Sequence, residues 1–243
     1  MRVTPRTSAL VASILACFLV VTPGVRAQGT TLLGPSPYLA FDDSLPGAGA
    51  AISPFSTVDF GYFHLEDFED ALLNTPGVTA DAGVAGSGSG FQDSVDADDG
   101  VINGTGRFLG SYGGFTGTTA MTFTFDASVL GALPTHVGIV WTDQGSAGSG
   151  GTFTANLSFE VFGSGGSSLG AIPPSPVGQP SDIGGTLEDR FFGAVNLEGI
   201  RSFRITTDSL GDWEMDHLQY GFVPEPGSAM LLLAAFVAVS RRR

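Results

Sequence analysis

The chain has 243 residues, one cysteine, 10 cationic and 24 carboxylate side chains, and a formal net charge of −14. Between its ends, Gln28 to Phe222 keeps only Arg107, Arg190, Arg201 and Arg204 as cations, against about 23 carboxylates, and has no cysteine. That balance argues against nucleic acid or anionic lipid as a partner, and the missing thiols exclude disulfide staples, thiol nucleophiles and zinc–thiolate sites.

Residues 1–27 read as a secretory signal peptide. Arg2 and Arg6 precede the apolar stretch Ala9 to Val21, and Pro23-Gly24 breaks any helix. Val25-Arg26-Ala27 then puts small residues where a signal peptidase checks, so cleavage is expected after Ala27. Ile14-Leu15-Ala16-Cys17 offers a competing lipoprotein box, with a short apolar run before Cys17.

The remaining body, 28–222, is long enough for one domain with its own core. Its first chemically distinctive places are acidic: Asp42-Asp43, then His64-Leu65-Glu66-Asp67-Phe68-Glu69-Asp70, then Asp93-Ser94-Val95-Asp96-Ala97-Asp98-Asp99-Gly100. Calcium takes six to eight hard oxygen ligands from such loops, but Gly100 falls one position early for an EF-hand. The third cluster reads more simply as a solvated acidic loop.

Period-two alternation follows. Met121, Phe123 and Phe125 alternate with threonines; Val137, Ile139 and Trp141 share one face; Ala155, Leu157, Phe159 and Val161 share another; Phe203 and Ile205 oppose Ser202, Arg204 and Thr206. This is half-buried strand patterning with Gly/Ser turns between, and no amphipathic helix interrupts it. An all-β, antiparallel β-sandwich of jelly-roll type is expected. The proline- and glycine-rich stretch from Ile172 to Gly185 reads as one long surface loop, or as a separator of two subdomains.

Catalytic patterns are sparse. His64, His136 and His217 are the only histidines, none lies in HExxH, and no GxSxG elbow exists. His64 and Glu66 share a strand face, as an acid/base pair would, and paired carboxylates would suit a glycosidase. With so many carboxylates some pair always fits, and the chain is read as non-enzymatic.

The last strand, Trp213 to Gly221, places Asp216 on a face with Leu218 and Tyr220 if it is regular. A carboxylate on a core-facing edge needs a cation or donors to offset its burial. Tyr62, Trp141, Trp213 and Tyr220 are the aromatics most able to stack on a sugar; Trp213 follows Gly211-Asp212 in a turn and is the best placed for exposure, Trp141 reads as core, and core packing is the plainer role for each. Phe68-Glu69-Asp70 with Met215-Asp216-His217-Leu218-Gln219-Tyr220-Gly221 resembles the jelly-roll carbohydrate-binding modules. The resemblance implies a structural calcium held by Glu69 and Asp216, with His217 standing where a second aspartate is usual.

Residues 223–243 close the chain with Val223-Pro224-Glu225-Pro226-Gly227-Ser228, the apolar run Ala229 to Val239, and Arg241-Arg242-Arg243. The two prolines keep the motif extended. The apolar run, about 11 residues, is far short of the roughly 20 that span a bilayer as helix, and the arginines act as a cytoplasmic stop. This order resembles the PEP-CTERM sorting signal. It implies export, transient membrane association through a short C-terminal apolar helix, processing by an exosortase near Val223–Pro226, and delivery to the cell surface or an extracellular, polysaccharide-rich matrix.

Overall fold

The computed structural model describes residues 29–42, 49–87, 94–95, 107–110, 119–143, 153–179, 189–208 and 214–225. Among them, β1 (Thr31–Pro37), β2 (Tyr62–Glu66), β3 (Val78–Ala80), β4 (Val84–Ser87), β5 (Arg107–Gly110) and β6 (Ala120–Phe125) precede a short helix, α1 (Ala127–Leu130). Then come β7 (His136–Asp143), β8 (Phe153–Phe162), β9 (Ser168–Gln179), β10 (Arg190–Val195), β11 (Ser202–Thr207) and β12 (Glu214–Phe222). One sheet of seven strands runs β1-β10-β7-β12-β5-β4, with β2 also paired to β12; the other runs β3-β6-β11-β8-β9. Both are antiparallel, and one apolar cluster joins them, so the expected β-sandwich is the fold observed.

The alternation seen in sequence builds that cluster. Phe123, Phe125, Leu157, Phe159, Phe203 and Ile205 of the smaller sheet meet Val137, Ile139, Trp141, Phe192 and Leu218 of the larger, all with no exposed surface. Each contributes about 1.5–3 kcal/mol by leaving water. Phe123, Phe159 and Phe203 also meet ring to ring, at centroid separations of 4.9 and 5.1 Å from Phe203.

The larger sheet is covered on its other face as well. Residues 38–42 and 49–60 run across it as a strap, and Tyr38, Phe55, Val95, Val140 and Phe191 form a second, smaller core there. β7 is therefore buried on both sides, which is why Val140 is apolar out of step with Val137, Ile139 and Trp141. Phe191 lies over Gly138 and Gly193, which face each other in register, and a Cβ at either glycine would strike its ring.

One expectation is corrected. Ile172 to Gln179 is not loop but the last eight residues of β9, a strand of 12 residues. Among the described residues β9 pairs only with β8 and forms the sheet's edge, where a missing outward N–H costs no ladder bond. The register between Leu157/Phe159 and Ser175/Ile172 gives β9 one extra residue, so Pro173 and Pro174 sit at a bulge. Residues 180–188, the signal peptide, the apolar run 229–239 and Arg241–Arg243 lie outside the described residues. Among the described residues no helix is long and apolar enough to cross a membrane.

Candidate functional site

β12 organises the polar chemistry of the domain. Between Asp216 and Gln219 it advances three residues while β7 advances two, from Val140 to Gly138. His217 takes the extra position at φ 44°, a left-handed conformation that histidine tolerates better than most side chains. Met215 faces the inter-sheet core before this bulge, and Leu218 and Tyr220 face it after. Asp216, His217 and Gln219 all turn outward, under the strap. Asp216 therefore does not share a face with Leu218 and Tyr220, because one inserted residue inverts every side chain beyond it.

The strap is fastened to this bulge by buried hydrogen bonds. The Tyr38 phenol lies 2.8 Å from Nδ1 of His217 and accepts from Nε2 of Gln219 at 3.0 Å. Ser53 Oγ donates to Oε1 of Gln219 at 2.5 Å. Tyr38, Ser53, His217 and Gln219 are all buried, and their mutual bonding offsets the cost of removing them from water.

Two buried carboxylates are satisfied by backbone amides. Asp216 accepts from Val95 N at 2.8 Å through Oδ2 and from His217 N at 2.6 Å through Oδ1. Glu66 accepts from Phe68 N at 3.3 Å, and from Asn74 N and Thr75 N at 2.9 Å each. Glu66 thereby shapes the turn in which Phe68 and Ala71 adopt positive φ. That commitment leaves it as an organiser of the loop rather than half of an acid/base pair with His64. His64 instead lies between the rings of Tyr62 and Tyr220, 5.8 and 5.1 Å away, and burial lowers its pKa.

Of the residues proposed from sequence as metal ligands, Glu69 is exposed and Asp216 is buried. Asp189 and Glu214 are buried too, yet among the described residues no three His, Asp or Glu side chains come together as a cation cage. Glu69 and Asp216 alone fall short of the oxygen count calcium takes. Of the third acidic cluster only Ser94 and Val95 are described, both buried. Trp213 lies outside the described residues. Sequence reasoning noted Glu66 only as a strand-face partner of His64 and missed the roles of Tyr38 and Gln219; their signal was spatial, since Tyr38 and Gln219 meet across 181 positions.

Among the described residues, no element covers the outer face of the smaller sheet. That face presents the residues that alternate with the core: Thr122 and Thr124 of β6, Ser202, Arg204 and Thr206 of β11, and Ser158 and Glu160 of β8. A cleft of about 430 Å³ lies at the Arg201 end of β11, with Thr79, Thr124 and Asp126 in its wall. A cleft of about 240 Å³ lies at the other end, walled by Asn156, Ser158, Thr206 and Asp208. Hydrogen bonds from Ser128 and Asn156 hold the carboxyls of Asp126 and Asp208, respectively, below their usual range.

Part of the tail motif is also described. Val223 leaves β12 with its N–H donating to Thr135 Oγ1 at 2.9 Å, and Pro224 and Glu225 are exposed. Pro226 and Arg241 to Arg243 lie outside the described residues.

No protein-family model matches the chain, and no curated protein does. Among solved structures, it is similar to the CBM22-1–GH10 modules of Clostridium thermocellum endo-1,4-beta-D-xylanase 10B, complexed with xylohexaose, at 14% identity and a TM-score of 0.35. The match covers 66% of this chain and 28% of that one, so the chain spans under a third of the xylanase's length.

Proposed function

We propose that this chain is an exported, non-enzymatic β-sandwich of the cell surface or extracellular matrix. Signal peptidase removes residues 1–27, an exosortase processes the tail at Val223–Pro226, and the body is retained among surface polysaccharides. The observation that carries the reading is the position of the motif: Pro224 and Glu225 stand exposed directly beyond the last strand, ahead of the apolar run and Arg241 to Arg243. A processing enzyme needs an accessible, extended segment, and the prolines provide one. Replacing Pro224-Glu225-Pro226 by Ala-Ala-Ala in the native host tests it. Accumulation of full-length, membrane-bound chain is expected, and unchanged maturation contradicts it.

A second reading, carbohydrate binding, is favoured by the outer face of the smaller sheet. Its hydroxyls, amide and charged groups flank two clefts at opposite ends of one strand, and such groups hydrogen-bond sugar hydroxyls. Glycan-array binding lost on Trp213→Ala, or on Ser158→Lys in the smaller cleft, supports it; no binding by the purified body removes it. Calcium at Glu69 and Asp216 belongs to this reading and is supported by carboxylate chemistry alone. A chelator that leaves the melting curve unchanged removes that ion.

A further inference from the structure

The first residues of the motif are not free of the fold. Gly61 N donates to Phe222 O at 2.7 Å, and Thr135 N donates to Gly221 O at 2.8 Å, so the end of β12 is gripped from both sides. The grip continues into the motif. Val223 N donates to the buried Thr135 hydroxyl at 2.9 Å. Pro224 rests on Gly61 so closely that a Cβ there would lie 3.1 Å from its Cγ.

Six residues separate Phe222 from Ala229, where the apolar run begins. Fully extended, they reach at most about 22 Å. An enzyme at the membrane that reads this motif therefore works against the end of the sandwich formed by Gly61 and Thr135. Enzymes that bind an extended segment do so through its backbone N–H and C=O groups. The Val223 N–H cannot serve Thr135 and an enzyme at once.

We propose that the folded domain restrains its own processing: Val223 and Pro224 must leave Thr135 and Gly61 before the tail is cut, and the strength of that hold sets the rate. This rests on the reading that the tail is processed. The restraint is local, because Pro224 and Glu225 are already exposed and, among the described residues, the hold on them is the Val223–Thr135 hydrogen bond and the contact of the Pro224 ring with Gly61.

The test is a pulse–chase of the full chain in its native host, following conversion to the mature mass. Thr135→Val removes the acceptor for Val223 N and is expected to speed conversion about three- to tenfold, the worth of one hydrogen bond. Thr135→Ser keeps the hydroxyl and should retain the wild-type rate. Thr135 is buried, so a second variant avoids touching the body: a Gly-Ser-Gly-Ser insertion after Phe222, which should accelerate conversion at an unchanged melting temperature. Equal rates for wild type and the insertion variant overturn the restraint while leaving processing intact. A wild-type chain that never loses its tail overturns the processing reading and the restraint together.

Discussion

The backbone amide of Val95 donates to Oδ2 of Asp216 at 2.8 Å, across 121 positions of sequence. The other oxygen takes the amide of His217, so one carboxylate fixes both the strand bulge and a distant loop segment. Asp216→Ala strands both buried amides and should lower stability by about 3 kcal/mol in urea unfolding. Asp216→Asn, which keeps one acceptor oxygen, should cost less. Equal costs for the two variants would show that the retained shape and single acceptor oxygen contribute nothing, contradicting a role for each oxygen as a separate acceptor.

Tyr38 ties the strap to the bulge through a phenol shared by His217 and Gln219. Tyr38→Phe should cost about 1–2 kcal/mol, since two buried polar groups lose a partner while the ring still stacks on Phe191. Amide exchange should quicken in residues 38–42 and 49–60 and stay slow in β7 and β8. Uniform acceleration across the domain would contradict a strap that opens by itself.

The prolines of β9 protect an edge. Pro173, Pro174 and Pro176 are exposed on a strand with no described neighbour beyond it. Changing all three to threonine restores N–H donors along that edge and should promote self-association, read by sedimentation velocity. A triple variant as monomeric as the wild type would show that the edge is blocked by other means.

Burial pushes the Tyr62 phenol up and the Tyr220 phenol up to about 12, from an ordinary 10. The unfolded chain releases these protons first, so stability is intact below pH 10 and falls as pH rises toward 12. At the acid end, burial lowers the pKa of His64 and His136 from 6.5, so stability falls as pH drops below 6.5. Melting temperature against pH should show both declines. Absorbance at alkaline pH should show two phenols titrating late, and their ionisation at the ordinary value would contradict their burial.

The strands were legible because β6, β8 and β11 alternate without interruption, and period two needs only local sequence. The bulge was not. Nothing in Met215-Asp216-His217-Leu218 announces an extra residue; it follows from pairing with β7, nearly eighty positions upstream. Ile172 to Gln179 was misread because proline weighs against strand in general, whereas an edge position removes the penalty. Asp216 stood out by residue type, but its distant partner Val95 is fixed by tertiary contact and its neighbour His217 is turned toward it by the bulge. Glu69 drew attention through a motif while Glu66, three residues earlier, does the buried work.

The most direct measurement is the intact mass of the protein recovered from the surface of living cells. Export and exosortase processing predict a chain that begins after Ala27 and lacks Arg241-Arg242-Arg243. A surface molecule still carrying the three arginines would contradict that claim.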